Sequence, residues 1–513
     1  MRCLSLLLPW VMICVAACGG PASNSGAGAV GGDSGGGADS AAGGADSAAG
    51  GDAHLDTGTT GATVSVTPAT TQALAGGTAQ FQATVTGPTN TAVTWSVQEG
   101  MTGGTIGSMG QYTAPETAGT YHVVATSQAD PAATGTATVT VTVPPSCPMG
   151  DASSDVGVWT EVSPAAFHMP SNMQTWSVAI NPQDESVFAS AGNVTNGGNP
   201  PLGTGIYKSS DCGASWALVS TGAHASDLTT GDPWALLIDP ITPTTMYVDN
   251  GYGDDGTLFQ STNGGVDWAP LGIDPCGVTA PVFSQAIAMD PTNHQHVALT
   301  FHETCSATGT TACTTPLPTT PMCLSQTTDG GQTWSYINGP TAQQGVTGWQ
   351  EAASLMVLGA QSYLLLTPEN GGWLTLDGGV TWTPEIATYD IYGTYAGSAH
   401  LAPDGTLYVG VANTGIYYSR PDATHPLGEL WTLIAGSPQA SALADDGVTL
   451  FSSWGWDTSG QPYHTAPLSN PSTWTTMPTP TDPDPANQYA YDSAHHLLYS
   501  ASTNAGLWRL HTR

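Results

Sequence analysis

Thr327-Thr328-Asp329-Gly330-Gly331-Gln332-Thr333-Trp334 and Thr375-Leu376-Asp377-Gly378-Gly379-Val380-Thr381-Trp382 are one pattern written twice. Ser209-Ser210-Asp211-Cys212-Gly213-Ala214-Ser215-Trp216 and Ser261-Thr262-Asn263-Gly264-Gly265-Val266-Asp267-Trp268 write it twice more. Each copy closes a unit: a strand, an Asn/Asp-Pro turn, a second strand, a variable loop and a Gly-aliphatic-aromatic strand. A repeat of this kind governs the fold before any local motif does. The residues have structural work. The acid accepts hydrogen bonds from turn amides, glycine supplies positive φ, and tryptophan packs between sheets. Asp211, Asn263, Asp329 and Asp377 are therefore structural, and poor catalytic candidates. Ser419 to Trp431 and Thr465 to Trp474 keep the terminal tryptophan but lose the turn pattern.

First strands near Trp176, Trp234, Ala286, Ser354, Ser398, Ser441 and Tyr489 make seven units. The seventh has three strands, ending at Leu507-Trp508-Arg509-Leu510, and Val158-Trp159-Thr160-Glu161-Val162 upstream has the look of the missing fourth. Pairing of that segment beside 506–510 closes a ring and hides sheet edges. The expectation is an all-β chain: a seven-bladed β-propeller over 145–513, closed by its N-terminal strand, with a small β-sandwich before it.

The repeated turns resemble the Asp-box (BNR) motif, whose propellers include sialidases, xyloglucan-cleaving endo-glucanases, sortilin-like receptors and photosystem assembly factors. A sialidase needs three arginines around the substrate carboxylate and an Arg-Ile-Pro motif. Beyond the leader only Arg420, Arg509 and Arg513 occur, and Arg-Ile-Pro is missing, so that activity is excluded. The xyloglucan-cleaving enzymes use aspartates and survive this test, although they carry two propellers around a cleft and this chain has one.

Working outward, residues 1–18 read as an export signal: Arg2, an apolar run from Leu4 to Val15, then Val15-Ala16-Ala17-Cys18-Gly19. The run is too short to span a bilayer. The last residues resemble a bacterial lipobox, which implies cleavage before Cys18 and lipidation of its thiol. Several acyl chains on one residue anchor firmly. Contact with a membrane is expected through this anchor only, at the cell envelope, on the outer membrane or cell surface. Residues 19–60 are Gly, Ala, Ser, Asp and Thr, a tether that cannot bury enough surface to fold.

Residues 61–144 alternate with period two between turns. Expected strands are Thr63–Val66, Ala79–Val85, Ala92–Val97, Thr120–Ser127 and Gly135–Val143, with Trp95 as the buried aromatic. Gly110-Gln111-Tyr112-Thr113-Ala114-Pro115 followed by Gly119-Thr120-Tyr121 resembles bacterial Ig-like domains. Such a module is a spacer.

Charge narrows the partners. Lys+Arg number 5 against Asp+Glu 39, a net charge of -34. Nucleic acid and anionic lipid are repelled. A monomer that meets a polysaccharide, another glycan or a surface protein is expected.

Blade connectivity puts the repeated turns on one face and the long loops on the other, between strands two and three and between blades. The long-loop face is the candidate site. Its acids Asp249, Asp255, Glu303 and Glu351 are the candidates for acid–base glycoside hydrolysis. Tyr252, His302, Trp349, Tyr389, Asp390, Tyr392, Trp454, Trp456 and Asp457 are the candidates for ligand binding, since rings stack on pyranose faces and acids bond to hydroxyls. Asn250-Gly251-Tyr252-Gly253-Asp254-Asp255-Gly256 could hold calcium through Asp254 and Asp255, although its spacing is not that of an EF-hand. No other cofactor is implied. Binding ranks first, glycoside hydrolysis second.

Six cysteines remain after the leader and Cys18 are set aside, an even number that suits an oxidising compartment. Cys147 precedes the closing strand and Cys212 sits in the first turn, both towards the turn face, so they are expected to pair. Cys305 and Cys323 stand at the feet of one long loop, which leaves Cys276 for Cys313. Other pairings among these four stay open.

Overall fold

The computed structural model describes residues 61–513, except single positions 109, 116, 369 and 412 and the segments 144–146, 148–155, 169–172, 194–203, 230–232, 250–257, 273–283, 302–321, 342–353, 387–397, 455–461, 478–485 and 503–504. Among these residues the only helical elements are 3-10 turns at Gly100–Gly103, Ala165–His168 and Asp227–Thr229. No described helix is long and apolar enough to cross a membrane.

Residues 63–142 form three sheets around one core. Thr134–Thr142, one of two nine-residue strands here, alternates exposed and buried side chains, as an amphipathic strand must. It pairs antiparallel with Gly119–Ser127 and parallel with Thr70–Leu74. That parallel strand was not expected, because Thr-Thr-Gln-Ala-Leu shows no hydrophobic alternation. Phe81 and Tyr112 are the fully buried aromatics, while Trp95 is only partly buried against them. The span expected as one strand from Ala79 is broken at Phe81 into Thr78–Gln80 and Gln82–Thr86.

From Trp159 to His511, seven four-stranded antiparallel sheets follow one another among the described residues. Six take their strands in chain order. The seventh joins Ala486–Asp492, Leu497–Ser502 and Gly506–His511 to the distant Trp159–Glu161. Trp159 faces Leu510, Thr160 faces Arg509 and Glu161 faces Trp508. Each first strand contacts the first strand of the next sheet, and Ala486–Asp492 contacts Met173–Ile180 of the first. This is β-propeller architecture. The sheets bury apolar faces against each other: Ala298, Leu324 and Ile337 pack with Leu355, Tyr363 and Trp373. Each large apolar side chain so buried contributes roughly 1.5–3 kcal/mol.

The repeated turns are closed by hydrogen bonds. Asp329 Oδ1 accepts from the Thr333 N–H at 2.9 Å and its Oδ2 from the Thr333 hydroxyl at 2.6 Å, and the Thr327 hydroxyl accepts from Gly331 N–H at 2.9 Å. Asp377 and Asp211 repeat the arrangement with Thr381 and Ser215. Asn263 accepts from Asp267 N–H at 2.9 Å, and its amide donates to the Asp267 carboxylate at 2.7 Å. The fifth copy has Pro421 in the acid's place and loses the acid's bonds, but keeps two others: Gly428 N–H donates to Ser419 Oγ at 2.9 Å and the Trp431 indole to Gly428 O at 2.7 Å.

In the first turn Cys212 holds φ 57°, where the next turns place Gly264, Gly330 and Gly378 at 73°, 71° and 70°. A side chain is strained in this left-handed region. Here it is bonded to Cys147, with the Cα atoms 5.2 Å apart. Cys323 is also disulfide-bonded. Its expected partner Cys305, with Cys276 and Cys313, lies outside the described residues, as does Cys18.

Candidate functional site

A first strand enters its sheet where the second strand leaves it, so the start of one and the end of the other border the long-loop face. Of the expected site residues, Asp249 and Trp454 are described. Tyr252, Asp254, Asp255, His302, Glu303, Trp349, Glu351, Tyr389, Asp390, Tyr392, Trp456 and Asp457 lie outside the described residues.

Asp249 follows the strand Met246–Val248 and is fully buried. Its Oδ1 accepts from the Ala235 N–H at 2.7 Å, and its own N–H donates to Ala235 O at 3.3 Å. One carboxylate oxygen is thus committed to extending the ladder between the first two strands of its sheet. Trp454 directly follows Thr449–Ser453 and is half-buried.

Further polar groups meet at the same edge. Ser284, Ser398 and Ser502 stand at or beside strand ends there and are fully buried. Their hydroxyls have no hydrogen-bond partner among the described residues. Ser354 and Ser441 are buried at the equivalent places of two more sheets. Three first strands carry bulges towards this edge, at Thr175/Val178, Ser284/Ile287 and Ala486/Gln488. Bulges of this kind concentrate where a sheet re-aims side chains next to a site. Trp176 and Trp234 pack edge to face, their ring centroids 6.2 Å apart. The floor beneath the long loops is therefore polar at its strand ends and aromatic between sheets, a combination suited to hydroxyl-rich ligands.

The opposite edge holds residues that the sequence reading left out. His294 Nδ1 lies 2.7 Å from Asp239 Oδ2, and His400 Nε2 lies 2.5 Å from Asp445 Oδ2. His495 Nδ1 lies 2.6 Å from Asp492 Oδ2. His296, almost wholly buried, places Nδ1 3.0 Å from Asp290 Oδ2 and Nε2 2.9 Å from the Tyr363 hydroxyl. Burial pushes the Asp290 carboxyl up, but hydrogen bonds from His296 and Thr292 outweigh it and hold it below the usual range. Glu185, in left-handed backbone at φ 53°, is pushed up to about 8, first by burial and then by Asp492 beside it. The available signal was the Asn/Asp-Pro turn itself, since Asp239 and Asp290 are its acids. The His294–Asp239 and His400–Asp445 pairs tie neighbouring sheets, whereas His296–Asp290 and His495–Asp492 lie within one sheet, and in all four the carboxylate is buried.

Among the described residues one trio of possible metal ligands comes together: Cys147, Cys212 and His495. The disulfide leaves neither cysteine a thiolate to offer. The repeated-turn acids are committed to their turns, and hydrogen bonds from Thr333 hold Asp329 down at about 2.

No family model matches the sequence. The chain is 25% identical over 293 residues to a xyloglucanase of Hypocrea jecorina (strain QM6a), a match covering 55% of this chain and 32% of that protein. The matched stretch is thus about a third of that enzyme's length. Among solved structures, YCF48 from Cyanidioschyzon merolae is 12% identical, with a TM-score of 0.46 over 69% of this chain and 98% of that one. The extracellular domain of a hybrid two component system from B. thetaiotaomicron is 10% identical, with a TM-score of 0.45 over 67% of this chain and 42% of that one. The chain is a β-propeller protein with sequence similarity to part of a xyloglucanase.

Proposed function

We propose that the long-loop end of this propeller binds extracellular glycan at the surface of a bacterial cell. In this reading 145–513 is a seven-bladed Asp-box propeller closed by Trp159–Glu161, and 61–144 is an Ig-like spacer. Lipid on Cys18 and the 19–60 tether hold both at the envelope. The seven four-stranded sheets, the distant closing pair and the contact between last and first sheets support the first part.

One observation carries the functional part. Buried hydroxyls at the long-loop edge have no partner among the described residues, although a buried polar group normally has one. Sugar hydroxyls are the kind of group that donates to and accepts from hydroxyls at such strand ends, and Trp454, half-buried at the same edge, offers a ring for stacking. A protein ligand at the same end is the other form of the binding reading.

The xyloglucanase match favours a second reading, glycoside hydrolysis. It requires two carboxyl groups roughly 5–9 Å apart across the cleft. Asp255, Glu303 and Glu351 are its better candidates, since Asp249 is enclosed and bonded to Ala235.

The test is a glycan array probed with the full chain, with and without calcium, followed by product analysis on every hit. Binding without products, weakened at least tenfold by Trp454→Ala, supports the primary reading. Products that vanish on neutralising Asp255, Glu303 or Glu351 replace it with hydrolysis. Silence across the array turns the search to protein ligands. Calcium-dependent affinity abolished by Asp254→Asn and Asp255→Asn assigns the metal, and Cys18→Ser tests the anchor by releasing the chain from the membrane fraction.

A further inference from the structure

The repeated turns are near-copies, so a departure in one of them is informative. In the second, third and fourth turns the terminal tryptophan is sealed between sheets: Trp268, Trp334 and Trp382 are 2%, 7% and 5% exposed. Trp216 of the first turn is only half-buried, as are Trp431 and Trp474 of the two degenerate copies, so among the four well-formed turns it stands apart. Trp268 and Trp334 donate their indole N–H to Gly265 O and Gly331 O inside their own turns. Trp216 donates to the neighbouring sheet, to Val162 O across the closing seam at 2.7 Å, as Trp382 does to Asn338 O at 2.7 Å, but with its ring more exposed than that of Trp382.

Beside that ring lies a cleft of about 600 Å³, within the size range of small-ligand sites. Its lining includes Trp216, Tyr207, Glu161, Ser163, Ser215 and Pro164. The walls are fixed from behind. Tyr207 is held edge-on by Phe167 at 5.2 Å, and burial pushes its hydroxyl up, so it stays protonated at neutral pH. Gly213 approaches so closely that a Cβ there would sit 2.9 Å from Val162. Ser163 Oγ donates to Glu161 Oε1 at 3.1 Å, which orients an otherwise exposed carboxylate.

The geometry points to a second ligand site, a cleft at the closing seam that takes one or two pyranose units of a neutral saccharide. An exposed indole face beside a carboxylate and hydroxyls offers stacking on the sugar ring and acceptors for its hydroxyls. Among the described residues no Lys or Arg lines the cleft, so an acidic sugar or a phosphate finds no cationic partner among them. The cleft is lined by the first repeated turn and by the connection that follows the closing strand, and Asp249 and Trp454 are not among its lining residues. The assignment therefore stands or falls independently of the glycan reading made for the long-loop end.

Hydrogen–deuterium exchange of the full chain, with millimolar cellotetraose, xylotetraose or galactotetraose, tests it. The expected result is slowed exchange at 161–165 and 213–216 with at least one of the three. Glu161→Gln is expected to weaken that protection roughly threefold to tenfold in apparent Kd, and Trp216→Ala more than tenfold. Trp216→Ala also loses a seam hydrogen bond and can unfold the first sheet. Glu161→Gln changes an exposed side chain and keeps the seam, so it decides the matter. Three results overturn the proposal: no protection with any of the three sugars, protection confined to segments around Asp249 and Trp454, or seam protection that Glu161→Gln leaves unchanged.

Discussion

The two ends of the propeller sheets spend their polar groups differently. At the repeated-turn end almost every acid is saturated from within the chain. Asp329 takes two bonds from Thr333 and one from Thr327, and Asp290 takes His296 and Thr292. At the long-loop end Ser284, Ser398 and Ser502 are just as buried, yet their hydroxyls find no partner among the described residues. Buried polar groups satisfied within one chain stabilise and specify a fold, whereas unsatisfied ones cost stability unless something else meets them. The first end has the chemistry of a lock and the second that of a recognition surface.

The largest expected effect comes from breaking the lock where it is most enclosed. Asp290→Ala removes the carboxylate that His296 and Thr292 both address, leaving a buried imidazole facing Tyr363 without its hydrogen-bond partner at Nδ1. Stranding buried donors in this way costs about 1–3 kcal/mol for each. Urea unfolding followed by tryptophan fluorescence measures it. A loss below about 1 kcal/mol would show that the pair behaves as a surface contact and would undo the contrast between the ends.

A smaller effect, readable as a slope, comes from Glu185. Its carboxyl is surrounded by Asp492, Asp184 and His495, and burial with Asp492 raises it from 4.5 to about 8. Because the folded state binds this proton more tightly than the unfolded one, the contribution is complete below about pH 4.5 and is lost as pH rises to about 8. The thermal midpoint should fall across that window in the parent chain and fall less steeply in Glu185→Gln. Equal slopes in both chains would mean that Glu185 does not carry this proton.

Legibility in the sequence followed the range of each interaction. The repeated turns could be read because their bonds span four residues, from Asp329 to Thr333 or Asp377 to Thr381. The closing strand Trp159–Glu161 could be read because it copies the strands after each turn. Two of the histidine–aspartate pairs could not, since His294 meets an aspartate 55 residues earlier and His400 one 45 residues later. No local spacing encodes that meeting; only the stacking of sheets creates it. The parallel strand Thr70–Leu74 was hidden for a related reason: its register comes from its partner Thr134–Thr142, not from its own pattern. At the long-loop end the sequence pointed to a face rich in acids and rings, of which Asp249 and Trp454 are described. Asp249 shows why composition alone overrates an acid: its carboxylate lies inside the sheet, bonded to a backbone N–H.

The smallest effect on stability is the sharpest probe of the comparison. Thr327 and Ser398 are both buried and each carries one hydroxyl, but Thr327 Oγ1 donates to Asp329 and accepts from Gly331, while Ser398 Oγ lacks a described partner. Replacing Thr327 by Ala should cost about 1 kcal/mol or more, because two bonds are lost and a buried N–H is stranded. Replacing Ser398 by Ala should change stability by less than about 0.5 kcal/mol, or even stabilise, because an unsatisfied oxygen becomes a methyl group. If the hydroxyl is kept for a ligand, the same Ser398→Ala chain should bind any array-positive glycan more weakly while unfolding at the parent's urea midpoint. Equal costs for the two substitutions would mean that Ser398 is satisfied within the chain. The long-loop end would then be as locked as the turn end, and its unmet hydroxyls would no longer argue for a sugar.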